Sequence, residues 1–149
     1  MADLSAKDLA VRSAVYARFA SGDVPSASDV AADLAMDVDA VIESYERLAA
    51  AHVLVLDPDS REVWMAMPFS AVPTAFRVDG LGQQWFANCA WDAFGIAVAV
   101  SCDVSIATYC PDCGAPMSYG VRGGELTNRD GVVHFAVPAK QWWDDIGFT

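Results

Sequence analysis

Apolar residues in this chain change their spacing once, near residue 52, and that change limits the folds open to it. Before it they recur every three or four positions, the period of a helix with one buried face. Val11, Ala14, Val15 and Phe19 fall on one such face, and Gly22 and Pro25 then break the pattern. Ser26, with Asp29 three residues on, is a helix-start signal, followed by the stripe Ala27, Val30, Ala31 and Leu34. A third helix opens near Asp37, with Val38, Val41, Ile42, Tyr45, Leu48 and Ala49 on its apolar side. After it the period drops to two. His52 to Leu56 is a β-rich run, Asp57-Pro58-Asp59-Ser60 a turn, and Val63 to Met67 the return strand. Three helices and a hairpin outline a winged-helix-like part.

Pro68 and Pro73 mark a linker-like stretch, and Gly80 and Gly82 precede the dense apolar run Gln83–Val100, most of which reads as one buried helix. Val104–Tyr109, Met117–Val121 and Val132–Val137 read as antiparallel strands, separated by turns at Cys110–Gly114 and Gly123-Gly124. The expectation is an α+β chain. Residues 1–70 form the winged-helix-like part, and residues 71–149 form an antiparallel β-sheet part with one buried helix.

Composition removes several function classes. Charged residues are 19% and apolar ones 54%, the opposite of a disordered chain. No apolar stretch approaches the roughly 18 residues of a membrane span, and residues 1–9 lack a basic start with an apolar core, so the expected location is cytoplasmic. Twenty acidic residues against nine basic ones give a net charge of −11, which opposes contact with phosphate backbones. Glu43 and Glu46 beside Arg47 on the third helix repeat that imbalance locally, so no nucleic-acid partner is expected, and the reading as a winged-helix regulator is disfavoured.

Two cysteine motifs carry chemistry. Cys89 and Asp92 are three residues apart, which on a helix places a soft, nucleophilic thiol and a carboxyl group on one face. Among Trp85, Phe86, Phe94 and Ile96 that carboxyl group is expected to hold a proton more readily than in water. The bland reading is a small core cysteine and a surface aspartate. The second motif, Cys110-Pro111-Asp112-Cys113-Gly114, is half of a zinc-ribbon signature. It reads as a structural turn with reduced thiols, as a metal site to which Cys102 and His134 add ligands, or as a disulfide. His52, at a helix end, and His134, within an apolar strand, read as structural. Trp142-Trp143 reads as core, a hydrophobic plug, or a binding surface.

The three-helix start, the segment Asn88-Cys89-Ala90-Trp91-Asp92-Ala93 and the Cys-Pro-x-Cys-Gly turn between strands resemble the organomercurial lyase (alkylmercury lyase) family over nearly the whole chain. The tail Trp142-Trp143-Asp144-Asp145-Ile146-Gly147-Phe148-Thr149 resembles a segment of that family as well. The resemblance implies protonolytic cleavage of carbon–mercury bonds. Cys89 matches the cysteine that captures the organomercurial, and Asp92 the aspartate that shuttles the proton. A second family cysteine follows a segment like Ile146–Thr149, where this chain stops, so the expectation is a family member shortened at its C-terminal end. Three explanations compete: an experimental truncation, a natural short relative, or a stop codon read as selenocysteine.

The catalytic candidates are therefore Cys89 and Asp92, and the metal-ligand candidates Cys89, Cys110 and Cys113. No cofactor is required. Hg2+ is the bound product, Zn2+ or copper are candidate ions at Cys110 and Cys113, an organomercurial is the small-molecule partner, and free thiols accept the product. The alternative function is a non-catalytic, thiol-based binder of soft ions such as mercury, copper or zinc.

Overall fold

A computed structural model describes residues 4–148. Three helices open the fold: α1 (Ala6–Ala20), α2 (Ala27–Leu34) and α3 (Val38–Ala50). The first two begin with the same device. Ser5 and Ser26 each cap the backbone N–H of the aspartate three residues on, and Asp8 and Asp29 reach back to the serine N–H. Val11, Val15 and Phe19 of α1, Val30 and Ala31 of α2, and Val41, Tyr45 and Leu48 of α3 are buried together.

The stripe expected on α3 is displaced at its start. Val38 is 39% exposed, and the buried set is Val41, Ser44, Tyr45 and Leu48. Ser44 is drawn in by a polar contact between helices. Arg47 donates to Asp8 of α1 from Nε at 3.0 Å and to Ser44 Oγ at 3.0 Å. Asp8 is only 1% exposed. Arg47 is exposed but leans over the buried Asp8, and the outer face of α3 keeps Asp39 and Glu43 in solvent.

An antiparallel sheet follows, built from β1 (Val55–Leu56), β2 (Val63–Ala66), β3 (Phe69–Ser70), β4 (Phe76–Gly80), β5 (Gln83–Ala87), β6 (Val104–Tyr109), β7 (Pro116–Arg122) and β8 (Glu125–Leu126). Their spatial order is β1-β2-β3-β5-β4-β6-β7-β8. The hairpin turn expected after β1 is present: Asp57 Oδ1 accepts the N–H groups of Asp59 and Ser60.

Three expectations need correction. The linker-like stretch after Pro68 holds two strands, and Phe69–Ser70 bridges β2 to β5 in mid-sheet. A two-residue strand carries too little pattern to be read beside two prolines. The run Gln83–Val100 divides. Its first part is β5, in which Trp85 and Ala87 are buried and alternate with more exposed neighbours. Leu81 and Gly82, both at positive φ, turn the chain from β4 into it. Only Ala90–Ala99 is helical (α4), and it buries one side, Ala93, Ile96 and Ala97, leaving Trp91 69% and Val98 80% exposed. Finally, Val132–Val137 forms no strand. It crosses outside the sheet with Val132 93% exposed.

One core joins the helices to the sheet. Phe19 of α1 stacks on Phe69 of β3 with ring centres 5.5 Å apart. Trp85 of β5 donates its indole N–H to the Phe19 carbonyl at 2.6 Å. These contacts hold the end of β5, and with it the start of α4, against a fixed wall.

Candidate functional site

Cys89 and Asp92 sit where β5 gives way to α4. Cys89 is the residue that caps the helix, in extended conformation at φ −146°, so it precedes the helix rather than riding on its face. The cap position still aims the sulfur along the first turn, and its thiol donates to Asp92 Oδ2 at 3.5 Å. The preceding residue, Asn88, donates its amide to the Phe69 carbonyl at 3.1 Å and also hydrogen-bonds the Asp92 carboxylate. Asn88 thus ties the pair to β3. Its place in the sequence, next to Cys89, was the only signal of that role.

Both groups are half-buried, and both titrate above their ordinary values. Burial pushes the Asp92 carboxyl up, against the opposing hydrogen bonds from Asn88 and Cys89. Burial also pushes the Cys89 thiol up. The backbone N–H groups of Asp92 and Trp91 oppose this, and the Asp92 charge reinforces it. The pair is therefore arranged to keep a proton between sulfur and carboxylate. Asp92 is felt as far as Tyr16 of α1, whose own hydroxyl donates to the Met67 carbonyl at 3.2 Å.

The residues after β8 form a strap across this end of the sheet. It is pinned at one side where Tyr119 donates to the Asp130 carbonyl at 2.9 Å. Phe135 and Trp142 then pack with ring centres 5.3 Å apart, and the Trp142 indole donates to Val137 O at 2.8 Å. A short 3-10 helix, Ala139–Asp144, turns the strap back. At its far side Trp143 stacks on His52 at 4.0 Å, and a side chain at Gly147 would meet the Trp64 ring at 2.9 Å.

Between strap and sheet lies a cleft of about 280 Å³, lined by Phe76, Asn88, Cys89, His134, Phe135 and Trp142 among others. His134, expected inside a strand, instead lies on the strap and faces this cleft. His52, expected to serve a helix end, has φ +59° and supports Trp143. The cleft is covered by the strap, while α1 backs the site through Trp85 and Tyr16.

Cys110 and Cys113 lie in the turn between β6 and β7, with both thiols free. The Cys110 thiol is held below its ordinary value by the backbone N–H groups of Cys113 and Asp112 and by the Cys113 thiol. Neither further ligand expected for them reaches the turn. Cys102 lies before β6, at its opposite end, beside Gly80, and His134 faces the Cys89 cleft. Among the described residues no group of three His, Cys, Asp or Glu side chains is placed to hold a metal ion. No described helix is long and apolar enough to cross a membrane.

The solved structure "Crystal structure of the mercury-bound form of MerB2" matches with a TM-score of 0.68 at 23% identity, over 85% of this chain and 61% of that one. The chain thus spans less than two thirds of that protein, and at this identity the likeness concerns the fold. No curated protein sequence matches. The family described as "MerB: Alkylmercury lyase" matches residues 69–149, from the mid-sheet strand β3 through the Cys89–Asp92 pair to the end of the strap. With more than half of its length matched, the chain belongs to the alkylmercury lyase family.

Proposed function

We propose that this protein cleaves carbon–mercury bonds by protonolysis, with Cys89 as the mercury ligand and Asp92 as the acid. The observation that carries this reading is the 3.5 Å hydrogen bond from the Cys89 thiol to Asp92 Oδ2 beneath an aromatic strap. A thiolate is the soft ligand that mercury favours. When the organomercurial binds, the sulfur–mercury bond forms, the ligand that mercury carried in solution departs, and the thiol proton passes to Asp92. The carboxyl group then gives that proton to the carbon. The carbon–mercury bond breaks, the hydrocarbon leaves, and Hg2+ stays on sulfur. The oxidation state of mercury does not change. Free thiols in solution complete the cycle by taking the ion.

The surroundings support each step. Burial favours the protonated carboxyl group, so the acid persists until it is used. Asn88 fixes the carboxylate against β3. Phe76, Phe135 and Trp142 form an apolar wall for the organic group, and the strap limits the water around the reacting atoms. The test is hydrocarbon release from an organomercurial with excess free thiol, followed by gas chromatography. Release by the wild type and none by Asp92→Asn is the expected result. Binding without release by the wild type would leave only a soft-ion binder.

A further inference from the structure

The sheet topology places a second pair of thiols at the same end of the molecule as Cys89. β5 and β6 both run antiparallel to β4, which lies between them, so they are parallel to each other and end on the same side. Phe76 pairs with Ala87, and the neighbouring pair Arg77 with Ala107 puts Thr108 in the same row. Cys89 and Cys110 each follow two residues beyond that row. They emerge two strand spacings apart, about 10 Å. Cys102, at the opposite end of β6, is on the order of 25 Å from Cys110 at the rise of an extended strand.

The turn is built to present two sulfurs together. Cys110 N–H donates to Ala115 O, and Gly114 N–H donates to Cys110 O, both at 2.8 Å, which closes the loop. Gly114 takes φ +70°, a conformation that side chains rarely adopt. Within the loop the N–H groups of Asp112 and Cys113, and the Cys113 thiol, favour the charged form of the Cys110 sulfur. Cys113 is exposed and Cys110 half-exposed, so an ion can enter from solvent or from the neighbouring cleft. The donor set is two thiols. A structural Zn2+ asks for four ligands, whereas Hg2+ is satisfied by two thiolates.

We propose that Cys110 and Cys113 form a two-thiolate site for Hg2+ that receives the ion from Cys89. The transfer is ligand exchange without redox change. Bonds from mercury to the Cys110 and Cys113 sulfurs form, the bond to Cys89 breaks, and the protons released by the turn thiols pass to the Cys89 thiolate and to water. The transfer rests on the proposed role of Cys89; the ion site does not.

Titration with HgCl2 in the presence of a competing monothiol, read by sulfur-to-mercury charge-transfer absorption and native mass spectrometry, tests both parts. Cys89→Ser should retain one tightly held Hg2+ per chain. Cys110→Ser/Cys113→Ser should lose that ion, and Cys113→Ser alone, a change at an exposed position, should weaken it about 10²-fold by loss of the chelate. Tight binding that survives the double substitution, or vanishes in Cys89→Ser, overturns the site. If the site behaves as expected but Cys89→Ser still releases hydrocarbon from the organomercurial, the role of Cys89 fails while the ion site stands. Transfer is read by fragmenting wild-type protein after one equivalent of organomercurial has turned over. Mercury on the fragment holding residues 110–113 is expected, moving to the Cys89 fragment in the double variant. Mercury on the Cys89 fragment in both overturns the transfer.

Discussion

The N-terminal helices and the C-terminal strap are both rich in apolar residues, yet they spend them in opposite ways. In the helices Val11, Val15, Val30 and Val41 are fully buried, and even the charge of Asp8 is enclosed and paired with Arg47. In the strap Val132 is 93% exposed, Val133 48% and Phe135 38%. The helices hold stability. The strap leaves apolar surface exposed, and Val133 and Phe135 line the cleft beside Cys89, where the proposed function puts the organic group. If this division is right, substitutions at the Cys89 end should remove activity and leave stability alone, and those among the helices should do the reverse.

The largest effect is expected at Cys89. Cys89→Ser replaces a soft ligand with a hard one and should lower hydrocarbon release by at least about 10³-fold, as loss of a nucleophile does. The residue is half-buried and caps a helix, where serine is welcome, so thermal stability should move by less than about 0.5 kcal/mol. A strongly destabilised variant would break the comparison. Asp92→Asn comes next. Release should fall about 10²- to 10⁴-fold while capture of the organomercurial persists, since an amide cannot deliver the proton. The wild-type pH profile should be a bell displaced upward on both sides. Both groups of the pair titrate above their ordinary values, 3.8 for the carboxyl and 9.0 for the thiol, and the pair must hold one proton to react. A profile centred on ordinary values would remove the shared proton from the mechanism.

The third test reverses the direction. Asp8→Ala removes a buried partner of Arg47 and one half of the α1 capping box, and should cost about 3 kcal/mol of folding stability by denaturant titration. Activity per folded molecule should not change. Burial alone would raise the Asp8 carboxyl, but hydrogen bonds from Ser5, Ser44 and Arg47 outweigh it and hold the group well below its ordinary 3.8. Its folded value is thus depressed. The stabilisation it provides is complete above the unfolded value and is lost as pH falls through the acid range. Acid unfolding of the wild type should be steeper than that of the variant between about pH 4 and pH 2.

The same division explains what could be read in the sequence. The helices were legible because their signals are local: Ser26 with Asp29 is a cap by itself, and Val11, Val15 and Phe19 fix a face without knowledge of the sheet. Val104–Tyr109 was legible for the same reason. Cys89 and Asp92 stood out by spacing, but the thiol's place as a cap depends on β5 ending at Ala87, and nothing in the apolar run Gln83–Val100 marks that end. Val132–Val137 has the composition of a strand and lacks a partner edge, so tertiary contacts decide its path. His134 and Asn88 acquire roles only once the strap and β3 are in place. The partner of Arg47, Asp8, was not legible because it lies 39 residues away.

A smaller effect is expected at the strap. Trp142 walls the cleft against Phe135, and its indole is held by Val137 O. Trp142→Ala should raise KM for an organomercurial about tenfold, the equivalent of about 1.4 kcal/mol, with a smaller change in kcat and no more than a minor loss of stability. An unchanged KM would show that the organic group does not rest on the strap.

The finest test compares the two capping boxes. Their local geometry is nearly the same. Ser5 Oγ lies 3.2 Å from Asp8 N–H and Ser26 Oγ 3.1 Å from Asp29 N–H, and each aspartate accepts its serine N–H at 3.0 Å. Taken alone, serine to alanine at either site should cost about 1 kcal/mol. The surroundings differ. Asp29 is 47% exposed and meets Arg18 only at 3.8 Å, so water can replace what Ser26→Ala removes. Asp8 is buried, and the Ser5 hydroxyl supplies it with a 2.6 Å hydrogen bond that water cannot easily reach. Ser5→Ala should therefore cost more than Ser26→Ala, by about a further 1 kcal/mol for a hydrogen bond to a charged buried group. Denaturant midpoints of the two variants at neutral pH measure the difference directly. Below the pH at which Asp8 takes up its proton, the gap should close, because a neutral carboxyl group no longer needs the bond as strongly. Equal costs at neutral pH would mean that enclosure adds nothing to the α1 cap, and that the contrast between a sealed helical end and an open reactive end overstates the first.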